Sequence, residues 1–254
     1  MNGDPLLSCR IKIDRAIKHF NDLIAEVEAY RDRDPNKIIL DEDSEPAIKI
    51  YKIGIKEPMP ETWSAIIGDT IHNLRSAMDC LAVALVVRAG ITDPGIIQDT
   101  YFPISWDNVG LSGAKRLLFF QRVGPAAEKI IRRLQPYRGG KGHPLWQLNQ
   151  LDIIDKHRRI IPAGAALSKV EFFIERHDAP ASVYKAQPAF PLKEGDELFR
   201  AVFFEAHFDA NSHFTFDVAF NETGIVEREP VLPTLSEFIN FVQRVIMIFE
   251  KRFS

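Results

Sequence analysis

This 254-residue sequence predicts an α+β fold, on three observations. Through the first 160 residues, long stretches place apolar side chains at three- and four-residue steps, the period of a helix with one buried face. After Pro162 the period changes, and runs rich in Val, Phe and Tyr alternate with Gly-Asp and Asn-Ser turns, as in an antiparallel sheet. A helical pattern then returns and closes the chain. The expected architecture is a helical bundle with an N-terminal β-hairpin and a C-terminal antiparallel sheet, closed by a C-terminal helix.

Each element has its own signal. From Pro5 to about Arg31, Leu6, Ile13, Ile17, Phe20, Leu23, Ile24 and Val27 form one stripe of an amphipathic helix that ends at the polar stretch 31–35. Lys37–Asp41 and Ala47–Lys56 read as a hairpin around the acidic turn Asp41–Glu45. Over Glu61–Arg88, residues Trp63, Ile67, Ile71, Leu74, Met78, Leu81 and Leu85 follow the helical period of about 100° per residue, the clearest helix in the chain. Residues 90–112 carry Gly, Pro and Asp with little period and read as a connection, followed by short helices over Lys115–Arg122 and Pro125–Leu134. A Gly-rich loop, 135–144, introduces a helix from about Leu145 to Ile160, with Pro144 suited to a first turn that needs no N–H. Strands are expected at Lys169–Arg176, Ser182–Gln187, Glu197–Phe208 and Phe214–Asn221, and a last helix at Leu235–Phe253 with Thr234 or Ser236 as N-cap. Because that helix should pack back on the others, the chain reads as one α+β domain over 1–254. The alternative division is a mainly helical part over 1–162 and a β-rich part with the terminal helix over 163–254.

Composition narrows the function classes. With 46% hydrophobic and 26% charged residues the chain is ordinary for a globular protein, and its net charge of −3 supplies no overall basic field for DNA, RNA or anionic lipid. There is no DNA signal, and an RNA contact must come from a local patch. The N-terminus lacks an apolar export segment, and no uninterrupted apolar run reaches the roughly 18–20 residues that span a bilayer, so no membrane partner is expected. Cys9 and Cys80 lie on separate expected helices without a CxxC spacing, which fits a reducing cytoplasm better than a disulfide or zinc framework.

The chemistry-bearing feature is a polar stripe on the central helix. His72, Arg75 and Asp79, at i, i+3 and i+7, fall together roughly 80–140° from its apolar face, yet the helix is apolar nearly all round further along. Charges on such a rod need partners, and Arg75 cannot shed its proton. The helix at Leu145–Ile160 repeats the pattern, with Asp155 and Arg158 projecting onto its apolar face and His157 pointing elsewhere. The two helices are therefore expected to meet and to bring Arg75, Asp79, Asp155 and Arg158 into one cluster. Such a cluster serves either as a catalytic site or as an ion network that fixes helix packing.

The strings at 68–81 (GDTIHNLRSAMDCL) and 143–158 (HPLWQLNQLDIIDKHR) resemble a family of uncharacterised bacterial proteins with GDxIHNLRSALDHLA and HPLWxLNxLxxIDKHR blocks, over most of the chain. More distantly, the segment 74–81 is similar to a helix of HEPN (higher eukaryotes and prokaryotes nucleotide-binding) proteins. That resemblance implies a HEPN-like helical bundle, and for many members a metal-independent endoribonuclease of bacterial or phage conflict systems, with an Arg-(four to six residues)-His motif at a homodimer interface. Arg75 matches the arginine, but Cys80 stands five residues on, where histidine is expected. Under the resemblance that departure either inactivates an ancestral site or passes the proton-transfer role to His72 or His157, with Arg75 stabilising charge on an RNA phosphate.

Other chemistries have less support. His72, Asp79, Asp155 and His157 are metal-ligand types, but the Glu-x-x-His pattern of carboxylate bundles is absent and His157 is turned about 160° from Asp155, so no metal or cofactor is expected. Arg138, Lys141 and His143 occupy a Gly-rich loop before a helix N-terminus, a candidate anion cradle without the P-loop pattern. Ser76 and Ser168 lack a G-x-S-x-G elbow, and His177, His207 and His213 make no metal spacing. Phe199, Phe203, Phe204, Phe208, Phe214, Phe216 and Phe220 read as sheet core, because Glu205, Asp209 and Asp217 stand among them where an RNA-stacking sheet would carry cations.

Overall fold

The computed structural model describes residues 4–41, 48–160, 162–170, 182–185, 190–202 and 214–253. In chain order its elements are α1 (Leu7–Asp32), β1 (Asn36–Asp41), β2 (Ile48–Ile55), α2 (Thr62–Arg88), α3 (Pro94–Gln98), a 3-10 turn (Val109–Ser112), α4 (Ala114–Val123), α5 (Pro125–Leu134), α6 (His143–His157), β3 (Pro162–Val170), β4 (Ser182–Lys185), β5 (Glu197–Val202), β6 (Phe214–Phe220) and α7 (Val231–Phe253). The protein is α+β, and all pairings between these strands are antiparallel.

The chain forms two compact units that do not follow chain order. One comprises Met1–Ile24, Thr62–Ile160 and Leu232–Ser254, and the other Ala25–Glu61 and Ile161–Val231. The first unit is helical. Of the stripe expected on α1, Ile13 and Leu23 are buried with Leu6 just before it, but Ile17, Phe20 and Ile24 are only half-buried, and the small Cys9 and Ala16 are buried instead. On α2 Ile67, Ile71, Leu74, Met78 and Leu81 are buried, and on α7 Leu235, Phe238, Val242, Val245 and Phe249. Within it α2 packs along α6. By length and composition alone α2 and α7 are apolar enough to cross a bilayer, although no uninterrupted apolar run was expected to do so. For α2, burial on several sides accounts for that composition.

In the second unit the hairpin is not separate from the later strands. A four-stranded sheet has the order β1-β2-β5-β4, so the N-terminal hairpin pairs with β5 through Tyr51↔Phe199 and Ile50↔Arg200. The strands β3 and β6 form a second, two-stranded sheet with a shifted register after Gly164. Tyr51 and Ile53 of β2 are buried two residues apart, as the period of a strand requires. Outside the sheet, Arg33 grips Glu57 with two hydrogen bonds of 2.9 and 2.7 Å.

Several boundaries differ from expectation. The segment 90–112 contains the short helix α3, which Asp93 caps by accepting from the Ile96 N–H at 3.0 Å. The last helix begins at Val231, so Thr234 and Ser236 lie inside it and neither is the cap. Pro233 is tolerated there because first-turn N–H groups have no intrahelical acceptor. The α6 helix starts at His143 and stops at His157. The Asp41–Glu45 turn beyond Asp41, most of Lys169–Arg176, the ends of the Ser182–Gln187 and Glu197–Phe208 strands, and His177, His207, His213, Phe203, Phe204 and Phe208 lie outside the described residues.

Candidate functional site

Two helices that cross with charges in their buried faces must match those charges, and α2 and α6 do so by repeating one spacing. His72, Arg75 and Asp79 occupy i, i+3 and i+7 on α2; Asn149, Asp152 and Lys156 occupy the same steps on α6. The helices run antiparallel here. Arg75 meets Asn149, and His72, three residues earlier, meets Asp152, three residues later. Close approach depends on Gly68: a Cβ there would lie 2.2 Å from Asp155 Oδ1 and 2.6 Å from Oδ2, so the Asp155 carboxylate rests directly on the α2 backbone.

One end of this seam is closed. The Arg75 guanidinium, 9% exposed, donates from Nε to Asn149 Oδ1 at 2.9 Å and from NH1 to Asp79 Oδ1 at 2.5 Å. Asp79 Oδ1 also accepts the Phe102 backbone N–H at 2.8 Å. Burial pushes the Asp79 carboxyl above its ordinary range, while Arg75 and the Phe102 N–H pull it back. Arg75 thus fixes α2 against α6 through Asn149, and through Asp79 it is linked to the 102 segment; 9% exposed, it has little surface to offer a substrate.

The other end is open. His72 is 48% exposed at the side chain, whereas its partner Asp152 is 4% exposed. Asp152 Oδ1 lies 2.9 Å from His72 Nδ1, and Oδ2 accepts from Lys156 Nζ at 2.6 Å, so both carboxylate oxygens are held. A carboxylate only accepts, so Nδ1 carries the hydrogen, and that tautomer leaves the Nε2 lone pair as an acceptor on a half-exposed ring. Ser76 Oγ stands 3.4 Å from Nε2, a long contact. The order Ser-His-Asp is that of a nucleophile, base and orienting acid, but Ser76 sits mid-helix, where neighbouring backbone N–H groups are spent inside the helix and cannot form an oxyanion hole.

Other expected residues fall into place unevenly. Asp155 joins the seam beside Gly68, its carboxyl pushed up by burial first and then by Asp152 and Asp69. Arg158 does not project from the helix as expected, because α6 ends one residue before it and its backbone is extended, leaving it exposed. His157 is exposed at the last helical position and has no hydrogen-bond or ion-pair partner among the described residues. Cys80 is half-buried, and burial raises its thiol pKa against the pull of Lys12, so it stays protonated and cannot replace a histidine as base. Among the described residues no three His, Cys, Asp or Glu side chains are placed to hold a metal.

The loop before α6 corrects a second expectation. Its backbone N–H groups do not form an anion cradle, because each from Tyr137 to His143 already has an acceptor: Gln135 O for 137 and 142, Trp106 O for 138, Tyr137 O for 140, Gly140 O for 143, the Gln135 side chain for 141, and His143 Nδ1 for 139. A Cβ on Gly140 would lie 2.5 Å from Gln135 O, so glycine allows this tight closure. The side chains of Arg138 and Lys141 remain as cations, while His143 stacks on Trp146 with ring centroids 5.3 Å apart.

Asp152 and Asn149 were missed by sequence reasoning that looked along one helix at a time. The signal was the repeated i, i+3, i+7 polar spacing, which appears only when the two helices are compared. Comparison with known protein families, with curated proteins and with solved structures finds no match to this chain.

Proposed function

We propose that the protein is a metal-independent endoribonuclease in which His72, oriented by Asp152, is the general base. The observation that carries this reading is the half-exposed imidazole anchored at Nδ1 by a buried carboxylate, with Nε2 held only by the long 3.4 Å contact to Ser76 Oγ and so able to take a proton. In the reaction, the RNA 2′-hydroxyl gives its proton to His72 Nε2 as its oxygen bonds to the adjacent phosphorus. The P–O5′ bond breaks, the 5′-oxygen takes a proton from water, and a 2′,3′-cyclic phosphate remains. Lys156, 54% exposed beside the same carboxylate, supplies positive charge toward the phosphate.

The role of Arg75 changes in this reading. It is a positioning residue that holds the α2–α6 seam, and His72 does the chemistry that the resemblance assigned to a histidine further along the helix. The cytoplasmic setting rests on the two free thiols, and the implied homodimer is tested by light scattering. The test of activity is an RNA oligonucleotide incubated with purified protein in EDTA. Cleavage to a cyclic-phosphate end is expected, and a 2′-deoxy substitution at the cleaved position should block it; no cleavage, or cleavage indifferent to that substitution, contradicts the reading.

A second reading is favoured by the closure around Arg75. The cluster then only locks helix packing in a binding or assembly module, and His72 is a surface residue that happens to cover Asp152. Loss of folding without any RNA cleavage to lose would support it.

A further inference from the structure

The helical unit carries a second feature, an open groove of about 680 Å³ beside α5 and the loop that precedes α6. Four cations line it, Lys129, Arg132, Arg133 and Lys141, against one carboxylate, Glu128. Glu128 is already engaged by Arg132 Nε at 2.8 Å, and the Arg132 guanidinium lies 4.7 Å from the Phe120 ring centre. Lys129, Arg133 and Lys141 are exposed and have no ion-pair partner among the described residues. Lys129 and Arg133 stand at i and i+4 on one helix, a like-charge pair that costs helix stability unless an anion relieves it. On a chain of net charge −3, this is a local concentration of uncompensated positive charge.

The same loop connects the groove to an aromatic surface. Three residues before Lys141, the Arg138 guanidinium lies 5.2 Å from the Trp106 ring centre and 5.3 Å from that of Trp146. Trp106 is 59% exposed, while Trp146 is buried beneath the stacked His143 ring with its Nε1–H lacking an acceptor among the described residues. An exposed indole backed by a guanidinium is costly to leave in water and suits a flat π-face. Phosphate-binding cations next to a stacking platform are the two parts that single-stranded nucleic acid requires.

We infer that the groove formed by Lys129, Arg133 and Lys141, with Trp106 and Arg138 beside it, is a binding site for single-stranded RNA, the cations taking phosphates and Trp106 stacking one base. The choice of RNA over DNA rests on the proposed RNA cleavage; the groove itself does not. Because the loop's backbone N–H groups are consumed internally, side chains carry the anion contact, so binding should weaken steeply with salt.

The experiment measures fluorescence anisotropy of a labelled, mixed-sequence single-stranded RNA with the full-length His72→Ala protein, so that binding is read without cleavage. Replacing Lys129, Arg133 and Lys141 together by Gln should lower affinity at least about tenfold at low salt and flatten the slope of log K against log salt by about 2, at roughly 0.7 per lost single-strand phosphate contact. Trp106→Ala should lower affinity about tenfold and abolish the tryptophan quenching that binding produces in the parent. These residues are exposed, and an unchanged circular dichroism spectrum establishes that the variants fold. Affinity and slope unchanged in the triple variant, or no RNA bound at any salt, overturns the proposal. Duplex RNA bound as tightly as single strands overturns the stacking role, and tighter binding of DNA of the same sequence overturns the choice of RNA. Groove-dependent binding by a protein that never cleaves RNA leaves this site standing and removes the activity; cleavage without groove dependence does the reverse.

Discussion

Arg75 and His72 sit one turn apart on α2 and face the same partner helix, yet the seam treats them differently. Around Arg75 the polar groups bond to one another: Asn149, Asp79 and the Phe102 N–H form a connected set about a buried guanidinium. Around His72 only the anchoring half is buried, because Asp152 is sealed while the imidazole and Lys156 remain in contact with solvent. The difference teaches that a polar stripe on a helix is not one site. Its members divide by depth, the deep ones paying for packing and the shallow ones keeping a reactive atom free.

Removing Arg75 should break the comparison most visibly. Arg75→Ala strands a largely buried Asp79 without its counter-charge and should cost about 3 kcal/mol, read as a lower denaturant midpoint. A midpoint within error of the parent would mean that the closed end does not hold the fold. At the open end, Asp152→Asn should leave the midpoint nearly unchanged, since the partners it loses are exposed, but should slow RNA cleavage about 100-fold, equivalent to about 2.7 kcal/mol. Its amide can donate to Nδ1 and so move the imidazole hydrogen to Nε2, removing the base. An undiminished rate would detach Asp152 from the chemistry.

Between the two ends lies the Gly68–Asp155 contact. Gly68→Ala gains helix propensity of about 1 kcal/mol but forces a methyl into the Asp155 carboxylate, for a net loss of about 1–2 kcal/mol in thermal or denaturant unfolding. Stabilisation would show that Asp155 swings away freely. The smallest effect belongs to Asp155 itself. Its folded pKa is raised above the ordinary 3.8 by burial and neighbouring carboxylates, so the stability it lends is full below pH 3.8 and is lost as pH rises through the folded value. Asp155→Asn cannot ionise, and should therefore gain on the parent by less than about 1 kcal/mol between pH 4 and 7, with no difference in stronger acid. A variant that weakens as pH rises contradicts that sign.

How much of this was legible in the sequence depends on the range of the interaction. Periodicity located α1, α2 and α7 because burial of one face is written in residues three and four apart, as at Ile67, Leu74 and Met78. Pairing of β2 with β5 was not legible, since nothing local to Ile48–Ile55 names a partner about 150 positions away. In the site, the need of Arg75 for an acceptor and the approach of the second helix were both readable. The identity of the acceptors was not: Asn149 and Asp152 are singled out by register between helices, and Arg158 was lost because a helix end moves with backbone capping. The anion cradle failed for a similar reason, as glycines that suggest free N–H groups also permit the turn that consumes them.

The measurement that tests the division most directly is single-turnover cleavage of RNA in EDTA by His72→Gln, with its unfolding midpoint taken on the same preparation. A shallow catalytic residue predicts a loss of at least about 100-fold in rate with a midpoint shift worth less than about 1 kcal/mol. A variant that cleaves at the parent rate, or one that loses activity only because it unfolds, would contradict it and make His72 part of the same structural seam as Arg75.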